Sequence, residues 1–175
     1  AKYIATSMKE IIRDNASFGA KKPTVCIVEI MGRNAGWLTA AAALSRGSDC
    51  EGPDAIYLPE KVFDMDAFMA KVKDLAATKS SVVIAVSEGV HIADGRYVCE
   101  LGKEVAVDAF GHKQMSGTAV MLADKIAAET GLKTRAIEFS TLQRAATHLA
   151  SLTDINEAFQ VGHDAVVAAN EGKTG

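Results

Sequence analysis

Apolar positions recur along this chain in two alternating rhythms, helical spacing and short continuous runs. Ile4, Met8, Ile11 and Ile12 fall on one helical face, and Pro23 ends that pattern. Val25 to Ile30 follows with β-branched residues at both odd and even positions, which predicts a strand covered on both sides. Gly32 and Gly36 mark a tight loop, and Trp37 to Ser45 predicts a small, Ala-rich helix. Ala55 to Leu58 predicts a short strand. Asp64 is placed to cap a helix whose apolar stripe is Met65, Phe68, Met69, Val72 and Leu75.

Val82 to Val86 is the clearest buried strand, and a less regular stretch runs from it to about residue 116, with Asp94-Gly95 as a hairpin turn. Ala119, Leu122, Ala123, Ile126 and Ala127 predict a helix closed by Gly131, and Thr134 to Phe139 a further strand. Asp154 with Glu157 reads as a helix start, continued by Ile155, Ala158, Phe159, Gly162 and Val166. No internal repeat or low-complexity segment interrupts this order. Strands alternating with helices predict an α/β domain, a three-layer parallel sheet with helices on both faces.

Composition narrows the picture. The chain has 175 residues, 49% of them apolar, which suits one core, so residues 1–175 are expected to form a single domain. The net charge is −3 with both signs interspersed, and Lys21-Lys22 is too short a run for nucleic acid. No apolar run reaches the roughly 20 residues that span a bilayer, and the start lacks a signal-peptide layout. Cys26, Cys50 and Cys99 are widely separated and odd in number, which predicts reduced thiols and a cytoplasmic protein. The chain opens on Ala within a helical pattern and closes just after another, as expected of a piece of a longer protein.

In a parallel α/β sheet, ligands bind outside the carboxyl ends of the strands. Three such ends carry usable polar groups: Met31-Gly32-Arg33, Ser87-Glu88-Gly89, and Leu142-Gln143-Arg144 beyond the last strand. Parallel strands would bring Arg33, Glu88 and Arg144 to one edge. Arg135 opens its strand and falls at the other end, where a different patch or a neighbouring subunit is its expected partner. Two guanidinium forks and a carboxylate suit a phosphorylated sugar, the forks for phosphate oxygens and Glu for hydroxyls. Gly32 admits close backbone approach. Each residue also has a plainer reading: a surface arginine, a carboxylate that caps a loop or pairs with a lysine, an ordinary turn glycine.

His91, His112, His148 and His163 lack metal-ligand spacing. His163 reads as solvated or packed on the last helix, and His112 with Lys113 as loop residues within reach of an anion. His148, four residues after Arg144, is placed to share its helical face.

These residues carry a resemblance. Val28 through Trp37, with Met31-Gly32-Arg33 inside it, resembles the stretch of the 6-phosphofructokinase family that meets fructose 6-phosphate. Ile84 through Gly89 resembles the strand ending in the family's sugar-binding Glu, and Thr134-Arg135-Ala136 with Leu142-Gln143-Arg144 its paired phosphate-binding arginines. The resemblance covers nearly the whole chain. It implies the second, sugar-phosphate-binding domain of a phosphofructokinase, in a parent enzyme that phosphorylates the 1-hydroxyl of fructose 6-phosphate with Mg2+ in glycolysis. It implies that Met31, Gly32, Arg33, Glu88 and Arg144 bind the sugar phosphate. It also implies that Arg33 steadies charge on the transferred group, and that Arg135 reaches a neighbouring subunit's phosphate in a homo-oligomer.

Departures from the family pattern argue against allosteric behaviour of the ATP-dependent bacterial type. Thr141 stands where ATP-dependent bacterial members commonly have His, Thr24 where a further Arg is usual, and Ala145-Ala146 where Gly-Gly is familiar. The stretches Phe110 to Gly117 and Leu142 to Ser151 resemble the family's pyrophosphate-dependent subgroup more than its ATP-dependent members. The family's Gly-Gly-Asp donor loop and Thr-Ile-Asp catalytic element are absent, and are expected N-terminal to residue 1. Magnesium would be held there, and this chain alone is expected to be inactive. The alternatives are ATP-dependent transfer and a non-catalytic sugar-phosphate-binding module.

Overall fold

The structure, a computed structural model, describes residues 1–18, 22–102 and 117–174. The Phe110 to Gly117 stretch, except for Gly117, lies outside the described residues, as do Lys21, His112 and Lys113.

Helix α1 (Lys2–Ser17) leads into strand β1 (Thr24–Ile30). A short α2 (Trp37–Ala40) tightens into a 3-10 turn (Ala41–Ser45), then comes β2 (Ala55–Tyr57). Next are α3 (Met65–Thr78), β3 (Ser81–Ser87), a 3-10 turn (Val98–Leu101) and α4 (Thr118–Thr130). Strand β4 (Lys133–Glu138), α5 (Leu142–Ala145), a 3-10 turn (Thr147–Leu149) and α6 (Leu152–Asn170) complete the order.

The four strands form one parallel sheet in the order β2-β3-β1-β4. β1 lies inside it, paired with β3 and β4, and all seven of its residues are buried. That is why its sequence is apolar at both parities. Val25 and Ile27 point into a core shared with Phe68 and Val72 of α3 and Leu122 and Ile126 of α4. Cys26, Val28 and Ile30 point the other way, onto Ile4 and Met8 of α1 and Ala41 and Ala42 of the 3-10 turn. Small alanines there let the turn sit close on the sheet. Each fully buried Ile or Phe contributes about 1.5–3 kcal/mol. The three-layer α/β reading is correct, with one cluster on each side of the sheet.

Local signals act as their chemistry requires. Asp64 caps α3 by accepting from the Ala67 N–H at 2.9 Å. Gly131 closes α4 in the left-handed region at φ +65°. Asp94-Gly95 turns the chain between His91 and Tyr97, which form an isolated antiparallel bridge. The three cysteines are free and buried, and burial pushes the Cys26 thiol up to about 11.

Two expectations need correction. The Ala-rich segment is helical for only one turn before it tightens to 3-10 geometry at Ala41. The last helix is capped three residues before Asp154: Ser151 is the cap and accepts from the Asp154 N–H at 3.1 Å. None of the residues of that helix is buried, and Leu152, Ile155, Phe159 and Val166 are all exposed.

Candidate functional site

The sheet register brings three loops to one edge. Ile30 pairs with Ser87 and Glu29 with Glu138, so β1, β3 and β4 end level. Met31-Gly32-Arg33, Glu88-Gly89 and the α5 segment with Gln143-Arg144 therefore emerge side by side.

Side chains and backbone knit these loops together. The Glu88 N–H donates to the Ile30 carbonyl at 3.0 Å, and the Phe139 N–H to the Glu29 carbonyl at 3.2 Å. Beyond the last strand residues, the Gly32 N–H donates to Glu88 Oε1 at 3.3 Å and the Met31 N–H to Gln143 Oε1 at 3.1 Å. The Ser87 hydroxyl donates to the Gly32 carbonyl. Gly32 sits at φ +152°, and a Cβ there would come within 2.6 Å of the Ala35 carbonyl oxygen. Gly89 is tighter: a Cβ would lie 1.8 Å from the Arg33 carbonyl oxygen, so only glycine fits under the arginine's backbone.

Electrostatics agree with the geometry. Partial burial raises the Glu88 carboxyl above its ordinary range, opposed by the Gly32 N–H and by the charges of Arg33 and Arg144. Arg144 is exposed, and with Gln143, Lys2, Tyr3 and Asp154 it lines a cleft of about 380 Å³. Arg33 is also exposed. Such a cluster offers cationic forks, a hydroxyl acceptor and an open approach, which a phosphorylated polyol needs.

Arg135 lies elsewhere. It pairs with Cys26 on the exposed edge strand β4, donates to Asp14 Oδ2 at 2.8 Å, and stacks 4.3 Å over the Phe18 ring. His148 does not share a helical face with Arg144, because α5 ends at Ala145 and His148 stands in the next 3-10 turn. His163 is exposed and pairs with Asp164 at 3.1 Å. Among the described residues, no group of three or more His, Cys, Asp or Glu is placed to hold a metal ion.

Two residues with structural work at this edge carry no sequence signal of it. Glu29 reads as one polar position inside an apolar strand, yet its buried Oε2 accepts from the Ala119 N–H at 2.9 Å. Burial raises its carboxyl to about 7, with Glu138 and Glu88 adding to the rise and the Ala119 and Gly117 amides opposing it. Gln143 was visible only as the neighbour of Arg144.

Known proteins share this sequence and fold. The Phosphofructokinase family profile matches residues 1–169. The chain is 42% identical over 173 residues to the pyrophosphate--fructose 6-phosphate 1-phosphotransferase of Halomonas elongata, covering 99% of this chain and 41% of that protein. It is 42% identical over 172 residues to the protein of the same name from Xanthomonas campestris pv. campestris, again covering 41% of it. The crystal structure of pyrophosphate-dependent phosphofructokinase from Nitrosospira multiformis superposes with a TM-score of 0.73 at 33% identity, over 99% of this chain and 39% of that one. The chain thus spans about two fifths of the length of these relatives. With a family match over nearly all its residues and the same α/β architecture, the chain belongs to the phosphofructokinase family and resembles its pyrophosphate-dependent members.

Proposed function

We propose that this chain is the fructose 6-phosphate-binding unit of a pyrophosphate-dependent phosphofructokinase. The observation that carries the reading is the strand register, which ends β1, β3 and β4 level and so sets Arg33, Glu88 and Arg144 at one sheet edge. In this reading Arg144 and Arg33 hold phosphate oxygens, Glu88 accepts from sugar hydroxyls, and Met31 and Gly32 present backbone to the ligand. Arg33 also balances charge on the transferred phosphoryl group.

The curated relatives named above carry pyrophosphate in their names, which supports pyrophosphate over ATP as donor. Neither Gly-Gly-Asp nor Thr-Ile-Asp occurs in the sequence. The chain by itself therefore binds sugar phosphate without transferring phosphate, and residues 1–175 act as one binding domain. Donor, Mg2+ and catalytic base belong to other parts of the parent enzyme, which works in glycolysis in the cytoplasm. Among the described residues, no helix is long and apolar enough to cross a membrane. Arg135 is assigned to a neighbouring subunit's sugar phosphate in a homo-oligomer. Its exposed ion pair with Asp14 is of a kind worth about 0–1 kcal/mol, so exchanging it for a phosphate costs little.

Calorimetric titration of the full-length product with fructose 6-phosphate tests the reading. Arg144→Ala should cost roughly 1.5–3 kcal/mol, a loss of about tenfold or more in affinity. Wild-type binding that the substitution leaves unchanged would remove Arg144 from the site, and no wild-type binding would sink the reading.

A further inference from the structure

The parallel ladder of β1 ends at Glu29–Glu138 on one side and Ile30–Ser87 on the other. Two more N–H groups of the same chain then point to alternate sides, as a strand's would, with no strand left to receive them. Glu88 takes the Gly32 N–H and Gln143 takes the Met31 N–H. The Gln143 amide has a second bond: its Nε2 donates to the Ser140 carbonyl at 3.0 Å. Ser140 has φ +46° and is the only non-glycine with positive φ among the described residues. That left-handed residue starts the turn that places Arg144, since the Arg144 N–H donates to the Thr141 carbonyl at 3.2 Å. One half-buried side chain thus touches both the loop leading to Arg33 and the turn leading to Arg144. An amide of this length accepts from one and donates to the other at any pH. Glutamate can accept only, unless protonated, and asparagine is one methylene shorter.

We propose that Gln143 is a positioning residue that sets the spacing between the two arginine-bearing loops, and so the affinity for the phosphate-bearing sugar. The proposal rests on the sugar-phosphate reading above. Gln143 acts through Met31 and Ser140 rather than on the ligand. Its loss should therefore be felt at the sugar and not at the phosphoryl donor.

The test uses the full-length product with Gln143→Met and Gln143→Glu. Calorimetry with fructose 6-phosphate, steady-state KM values for sugar and pyrophosphate, and thermal melting are measured beside wild type. Gln143→Met keeps the bulk and loses both bonds. It should raise the sugar Kd and KM about five- to tenfold, leave the pyrophosphate KM within about twofold, and barely move the thermal midpoint. Gln143→Glu should bind weakly at pH 8. Its deficit relative to wild type should shrink toward pH 5, where a protonated carboxyl begins to accept and donate as the amide does. If Gln143→Met does not fold, this pH-dependent ratio decides alone. Wild-type binding with Gln143→Met unaffected, equal losses for sugar and pyrophosphate, or a Gln143→Glu deficit the same at both pH values would each overturn the proposal while the site reading stands. Failure of wild type to bind the sugar would overturn both.

Discussion

The tightest steric constraint in the site falls on Gly89. Its Cα lies against the Arg33 backbone so closely that a methyl group would overlap the carbonyl oxygen at 1.8 Å. No flexible side-chain end is available to yield there, because the obstacle is main chain. Gly89→Ala must push either the β3 exit or the Arg33 loop aside. Overpacking of this kind costs about 1–3 kcal/mol or more. We expect a lower thermal midpoint together with at least tenfold weaker fructose 6-phosphate binding, read by melting and titration of the same preparation. Unchanged affinity would mean that the Arg33 loop does not need this seat. At this scale the sequence drew attention to Arg33, Glu88 and Arg144 only because parallel sheets bind ligands beyond the carboxyl ends of their strands. It was uninformative about Gln143 and Glu29, whose work depends on partners 112 and 90 residues away.

Among the elements, the junction of β1 with α4 stands out. The N-cap of α4 is Gly117, which has no side chain with which to cap. Glu29, from the strand beneath, supplies the acceptor for the Ala119 N–H. A carboxylate at a helix N-terminus is favourable, but this one is only 5% exposed, and desolvation wins: its carboxyl rises from 4.5 to about 7. Between those values the folded state holds more protons than the unfolded one. The contribution of Glu29 is therefore greatest below about pH 4.5 and is lost as pH rises to about 7. The full swing is on the order of 3 kcal/mol. Glu29→Gln keeps an acceptor for Ala119 without the charge. Denaturant unfolding should show the variant gaining on wild type between pH 5 and pH 8, and a constant difference across that range would contradict the assignment. The periodicity of α4 and its Gly131 stop were legible in the sequence, as was the Asp64 cap of α3. The cap of α4 was not, since it comes from another element.

At the scale of the whole molecule, the sheet and its two helical layers close around cores on both faces, while α6 stands apart. Phe159 is 74% exposed and Leu152 72% exposed. Phe159→Ser should therefore shift the unfolding free energy of this chain by no more than about 0.5 kcal/mol. A larger loss in urea denaturation would mean that α6 packs on the domain in solution. The sequence pattern predicts α6 as an amphipathic helix, because its stripe obeys helical spacing. Spacing states that a face is apolar but not what covers it. The same limit explains the rest. Local rules, acting over a few residues, determined the alternation of strands and helices, most caps and turns, and the strand ends at which chemistry gathers. A parallel, doubly covered sheet followed from the continuous apolar runs of β1 and β3. Only the tertiary structure decided the strand order β2-β3-β1-β4 and the register that levels three strand ends. It also decided which side chains extend the ladder past its last rung. Those depend on contacts between residues far apart in the chain, and such contacts leave no periodic trace in the sequence.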